Sequence, residues 1–279
     1  MITIKQIESP VVVTDGVTDV NLYAGQTYTC EVPEVNEWFE MEIDTRISGT
    51  SPSDSFQLKM DSGNIILDKG DSSPIEYHSD IVTNDPRLLF QYAVLGVYTI
   101  RMKGWGRMSN GAVADADKIT RITNFGKFNF KDGNSFLYKC SNVIIEATDE
   151  LRIETFRNLC RNAFSIVKAP IINNPSITNY SLAFSFTKLN DNLGYLDIRS
   201  ATTMASFALG VTTWSTPNYN ASLMGFLRMQ SGDTAPPTGW ILKSNVSFHG
   251  GSSIATGDGL IARNYLINTF NWTITDSTP

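Results

Sequence analysis

One unit recurs through the second half of this chain, and it restricts the fold more than any other feature. Cys140, Val143, Ile145 and Thr148 stand at positions 1, 4, 6 and 9 of a short segment. Ile166, Ala169, Ile171 and Asn174 repeat that spacing, and Leu193, Leu196, Ile198 and Ala201 repeat it again. The segments start 26 residues apart (140 to 166) and then 27 (166 to 193). A fixed step of roughly 20–50 residues marks units that bury their apolar face only by stacking on a neighbour. Such a stack is a solenoid, and a solenoid presents an extended surface.

Between these strand-like segments the apolar period lengthens to about 3.6 residues. Ile153, Phe156, Leu159 or Cys160, and Ala163 or Phe164 follow it; so do Ile177, Tyr180, Ala183 and Phe184, and Tyr219, Leu223 and Phe226. The pattern predicts helices that lay one face on the adjoining unit. Ile261, Tyr265 and Leu266 predict a last helix, and Trp272–Thr275 a closing strand that caps the stack.

Upstream the period is two. Trp38–Ile43, Ser55–Met60, Asn64–Leu67 and Val97–Met102 are separated by polar stretches such as Ser48–Asp54 and Lys69–Pro74. Short strands punctuated in this way predict an immunoglobulin-like β-sandwich. The first 36 residues hold four β-like runs, Ile2–Ile7, Val11–Thr14, Val17–Leu22 and Thr27–Val32, broken at Asp15-Gly16 and Ala24-Gly25. The expected fold is mainly β with short helices: a β arm over 1–36, a sandwich over 37–104, and a repeat solenoid with a C-terminal cap over 105–279.

Composition removes several functions. The chain carries 22 basic and 28 acidic residues, a net charge of −6, and no basic patch, so nucleic acid is not an expected partner. Cys30, Cys140 and Cys160 are odd in number and widely spaced, which is neither a disulfide framework nor a zinc pattern. Cys140 and Cys160 occupy apolar repeat positions and read as small buried hydrophobes. The opening MITIKQIESPVVV lacks the features of a secretion signal. No apolar run approaches the roughly 20 residues of a membrane span, and the closing NWTITDSTP carries no anchor.

Particular runs carry a family resemblance. Gly96–Gly104 (GVYTIRMKG) resembles the last strand of a polycystic-kidney-disease (PKD) type domain. Ile119–Gly126 (ITRITNFG) is similar to the segment that opens BspA-like leucine-rich-repeat regions. Phe136–Asn142 (FLYKCSN) resembles that family's MFxxCSNL element, and Leu196–Phe207 (LDIRSATTMASF) its LDVSSVTNMSxMF element. Trp214–Tyr219, Ala262–Ile267 and Trp272–Asp276 resemble the tail of such proteins. The resemblance implies surface recognition without catalysis or cofactor, as on bacterial adhesins and on phage fibres and decoration proteins. With no export signal in view, the expectation is a phage virion protein, a head or tail fibre or a decoration protein. Its N-terminal arm would attach it to other virion proteins, and its ligand would be a host-surface carbohydrate or protein. The alternative is a bacterial cell-surface adhesin or a secreted recognition module. Fibres are often trimers, but no heptad stretch marks a coiled coil here.

Candidate sites are few. Tyr195, Asp197 and Arg199 point away from the core of the third unit if Leu196 and Ile198 point inward, and they are the expected binding residues. His249-Gly250-Gly251-Ser252 has the look of an esterase oxyanion loop, but no G-x-S-x-G nucleophile elbow accompanies it. His78 lies near Glu76 and Asp80, yet a solvated loop is the plainer reading than a metal site. Asp61, Asp68, Asp71 and Asp80 lack the spacing of a calcium loop. Gly104-Trp105-Gly106 lacks the pattern of a nucleotide loop.

Overall fold

The structure is a computed structural model that describes residues 37–110 and 115–277 in full, and the backbone of four short strands before them. The chain divides into two compact units, Met1–Asn36 and Glu37–Pro279. In the first, β1 (Ile2–Ile4) pairs antiparallel with β4 (Tyr28–Cys30), and β2 (Val11–Thr14) with β3 (Asp19–Leu22). The breaks expected at Asp15-Gly16 and Ala24-Gly25 lie outside the described residues, as does the Cys30 side chain.

The second unit begins with β5 (Phe39–Asp44), whose alternation buries Phe39, Met41 and Ile43 completely. The strands β6 (Ser55–Gln57), β7 (Met60–Asp68), β8 (Glu76–Val82), β9 (Leu89–Gln91) and β10 (Val97–Met108) come next. Strand β10 pairs with β5 on one side and β7 on the other, with Ile100 and Met102 buried. Gly63 lies inside β7, where any side chain would strike the Trp105 carbonyl of β10. Strands β11 (Ile119–Asn124) and β12 (Ile144–Ile145) extend the same sheet, giving the order β12-β11-β5-β10-β7-β8, while β6 and β9 pair separately. The boundary expected at Gly104 therefore falls within β10, and one sheet joins β5, β10, β7 and β8 to β11 and β12 of the later region.

A fully buried ion pair ties the β5–β6 connection to the turn before β11. Lys118 Nζ donates to Ser51 Oγ (2.9 Å) and to the carbonyls of Pro52 (2.8 Å) and Ser55 (2.7 Å). Asp115, 3.9 Å away, accepts the N–H groups of Ser51 (2.9 Å) and Gln57 (2.7 Å) and the Ser51 hydroxyl. Every strong donor and acceptor is matched, which is the condition for burying such charges.

From Phe125 to Trp214 the backbone runs in successive coils of turns. Leu137 N–H donates to Leu159 O (2.7 Å), Cys160 to Ala183 (2.8 Å) and Phe184 to Phe207 (2.9 Å), so each coil hydrogen-bonds to the next about 22 or 23 residues on. Alternate residues bond back within their own turn, as Cys140 N–H does to Leu137 O. The helices expected over 153–164 and 177–184 are not formed. Asn158 and Asn162, then Leu182 and Phe186, stand in the left-handed region with φ of 54° to 60°, which no α-helix accommodates. The left-handed residues recur every fourth position, so apolar side chains still face inward at nearly helical spacing. Ile153, Phe156, Leu159, Cys160, Ala163, Ile177, Tyr180, Ala183 and Phe184 are all buried; only Phe164 is not.

True helices appear later: α1 (Thr216–Phe226), burying Tyr219, Leu223 and Phe226, and α2 (Gly257–Phe270). The buried face of α2 is Gly259, Ala262, Leu266 and Phe270, so Ile261 lies outside it. Strands β13 (Ser247–Ile254) and β14 (Thr273–Ser277) pair in parallel. Aromatic rings run in series from the coils into the C-terminal region: Phe156 to Phe184 (5.6 Å between centroids), Phe184 to Phe207 (5.3 Å), Phe207 to Phe248 (5.8 Å) and Phe248 to Trp272 (6.4 Å). No described helix is long and apolar enough to cross a membrane.

Candidate functional site

Leu193, Leu196, Ile198 and Ala201 are all buried, and Tyr195 and Arg199 are exposed above them, with Asp197 half-buried. The structure then separates the three nominated residues. Arg199 folds back on Asp197 in a two-point pair, Nη2 to Oδ2 at 2.6 Å and Nε to Oδ1 at 3.0 Å. The pairing holds the Asp197 carboxyl below the usual carboxylate range. The Arg199 guanidinium also lies 4.6 Å from the Trp240 ring, and that of Arg228 lies 5.0 Å from it. Trp240 Nε1 donates to Phe226 O (2.9 Å), and Arg228 Nη1 to Gly194 O (2.6 Å). Asp197 and Arg199 thus fasten the long 227–246 connection onto the coil. Trp240 has no sequence signal beyond its own hydrophobicity, because Arg199, its partner on the coil, lies 41 residues earlier.

Tyr195 faces a different neighbourhood. Its hydroxyl donates to Pro170 O at 3.0 Å, and burial of that end pushes its pKa up. Its ring is 37% exposed and forms one wall of a cleft of about 680 Å³ between residues 144–148, 165–171 and 191–195. Ile144 (39%) and Ile171 (44%) supply further exposed apolar surface there.

The cleft has a local cause. Parallel pairing of β12 with β11 covers only Arg121–Ile144 and Ile122–Ile145. On the next coil Pro170 has no N–H, and the Ala169 N–H goes to Asp191 Oδ2 at 3.1 Å. The ladder cannot continue across this pair of coils, and they part. Ile172 (3% exposed), not Ile171, takes the inward position of the second unit. The parallel bridge resumes only at Glu150–Ile171. Beyond it a second, polar cleft of about 480 Å³ opens along the same two segments, lined by Glu150, Arg152, Glu154, Asn173 and Asn174 among others.

The remaining candidates are placed as structural groups. His249 lies in β13, where its Nδ1 accepts the Gly251 N–H at 3.1 Å; burial lowers its pKa, and nearby Asp276 opposes that shift. Asp276 itself accepts from Tyr219 Oη (2.7 Å) and from Arg263 Nη2 (2.7 Å) and Nε (2.9 Å), a network that ties β14 to α1 and α2. His78 Nε2 sits 2.9 Å from Glu76 Oε2, which also pairs with Lys69 through Oε1 at 2.7 Å. Asp68 and Asp71 accept the N–H groups of Gly70 and Ser73, each closing a local turn. Asp61 accepts the Thr83 hydroxyl at 3.2 Å. Among the described residues no three His, Cys, Asp or Glu side chains are grouped to hold a metal ion. Cys140 and Cys160 are free, fully buried thiols, and burial pushes both pKa values up.

Compared with models of known families, with curated proteins and with solved structures, the chain matches none.

Proposed function

We propose that this chain is a non-enzymatic virion structural protein, a head or tail fibre or a decoration protein, whose coiled region is a surface-exposed recognition module. In this reading residues 105–279 are a short, capped leucine-rich-repeat solenoid of the BspA-like kind, residues 37–104 are a PKD-type spacer, and residues 1–36 attach the chain to other virion proteins. The observation that carries it is the cleft-bearing outer face of stacked coils, built on hydrogen bonds at a nearly constant step and lined by exposed Ile144, Ile171 and Tyr195. Repetition builds a broad rigid face, and a rigid face bearing exposed aromatic and aliphatic side chains is suited to binding. The separate compact N-terminal unit supports a division between attachment and recognition.

Mass spectrometry and antibody-gold electron microscopy of purified particles test the assignment. The chain is expected as a stoichiometric component, with antibodies against residues 105–279 labelling the particle surface and blocking adsorption to host cells. Absence from particles, together with presence on uninduced cell surfaces, would move the assignment to a bacterial adhesin.

A further inference from the structure

We propose that the cleft between residues 144–148, 165–171 and 191–195 binds an uncharged glycan chain, with Tyr195 as the stacking platform. The inference deepens the recognition reading above and rests on it for its biological setting, but its chemistry stands on the cleft alone.

The Tyr195 hydroxyl is engaged with Pro170 O, so the side chain offers a ring face rather than a donor. A ring face packs against the C–H face of a pyranose much as it packs against another apolar ring. Around it stand groups able to meet sugar hydroxyls. Lys168 and Thr148 make no side-chain hydrogen bond among the described residues. Asn192 uses its Oδ1 on the Gly194 N–H and keeps its amide N–H donors. Donors and acceptors interleaved with an exposed ring recognise a polyhydroxylated ring better than an aliphatic ligand.

Charge and size narrow the class. Glu146 and Asp191 on the lining outnumber Lys168, so uronic or sialic acids are disfavoured. At about 680 Å³ the cleft lies within the range of small-molecule sites. A second, polar cleft lies just past the Glu150–Ile171 bridge, with Glu150 and Asn173 two residues beyond Thr148 and Ile171, which places further polar groups in line for a chain of sugars rather than a single ring. An extended peptide is disfavoured by the same feature that opens the cleft. Pro170 and the engaged Ala169 N–H leave little backbone ladder on that wall for a strand to join.

The test is titration of the purified full chain by calorimetry and saturation-transfer NMR. The probes are uncharged tetrasaccharides of N-acetylglucosamine, glucose and mannose, with tetragalacturonate as the charged counterpart. At least one uncharged probe is expected to bind saturably, with tetragalacturonate weaker. Tyr195→Ala should weaken binding by at least about fivefold, the loss of one aromatic contact of about 1 kcal/mol. Tyr195→Phe should bind like the wild type, which keeps the proposal testable if the alanine variant unfolds. Tyr77→Ala, at a 70%-exposed aromatic on β8, should also bind like the wild type. The proposal falls if no uncharged probe binds, if tetragalacturonate binds as tightly, if Tyr195→Ala is silent in a folded protein, or if the chain instead captures a host envelope protein stripped of glycan. A chain that blocks adsorption yet binds no glycan overturns this proposal and leaves the recognition reading standing. A chain absent from particles that still binds glycan through Tyr195 does the reverse.

Discussion

Replacing Lys118 with methionine should destabilise the second unit by about 3–5 kcal/mol, the range measured when one partner of a buried ion pair is removed. Lys118 is 0% and Asp115 1% exposed, so neither charge can turn to water. The substitution keeps the length and the apolar stem but removes three charge-assisted hydrogen bonds, to Ser51 Oγ, Pro52 O and Ser55 O. At about 1.5–3 kcal/mol each the gross loss is larger than 3–5 kcal/mol, because the lysine also regains its hydration on unfolding. Asp115 retains its N–H donors, so the loop between β5 and β6 should loosen around Ser51–Ser55 rather than detach. For a unit of this size the cost corresponds to a melting point roughly 6–20 °C lower. Differential scanning calorimetry and urea titration measure it. Adding Asp115→Asn should cost less in the Lys118→Met background than in the wild type, because the carboxylate is already uncompensated there. A loss under about 1 kcal/mol, or strict additivity in that double-mutant cycle, would refute the reasoning.

Three further outcomes rest on the packing and charge pairing. Phe207→Ala removes a fully buried ring within 6.5 Å of Phe156, Phe184, Trp214 and Phe248; urea denaturation should register a loss of about 3–5 kcal/mol, and less than about 2 would mean that the coils collapse around the void. Gly225 on α1 lies so close to Gly194 that any Cβ would overlap the neighbouring backbone; Gly225→Val should cost about 1–3 kcal/mol and increase proteolysis within 227–246, whereas unchanged protease resistance would contradict that contact. Hydrogen bonds from Arg87 hold the Asp85 carboxyl at about 2 against an ordinary 3.8. A depressed folded value contributes stability above about pH 4 that is lost as pH falls toward 2, so Asp85→Asn should flatten the acid limb of a stability–pH profile over that window and leave the neutral-to-alkaline limb unchanged.

Much of the fold is legible in local pattern. The strict alternation of Phe39, Met41 and Ile43 places β5, and the spacing of Tyr219, Leu223 and Phe226 places α1, since a period of two or of about 3.6 has one simple geometric cause in each case. The coils over 153–164 and 177–184 are legible only as buried faces. Asn158 and Asn162, four residues apart, were the one available hint against a helix, because asparagine tolerates the left-handed region. Leu182 and Phe186 adopt the same conformation with no such licence, held there by hydrogen bonds to Ala205 and Leu209 of the next coil. The candidate site divides similarly: inward Leu196 and Ile198 imply outward Tyr195 and Arg199, but nothing local tells that the Arg199 guanidinium is spent on Asp197 and Trp240 while Tyr195, tied only through its hydroxyl, keeps its ring partly exposed.

Periodicity along the chain thus determined most of the side chains that are buried, because an apolar face recurs at the spacing of the backbone that carries it, although Phe164, Ile171 and Ile261 fall outside. The tertiary structure decided the rest: turns instead of helices, a repeat step near 22 or 23 residues rather than 26 or 27, and a cleft where Pro170 and Asp191 interrupt the ladder. Each of these depends on which backbone donor finds which acceptor on another coil, and that partner stands some twenty residues away, beyond the reach of any local pattern.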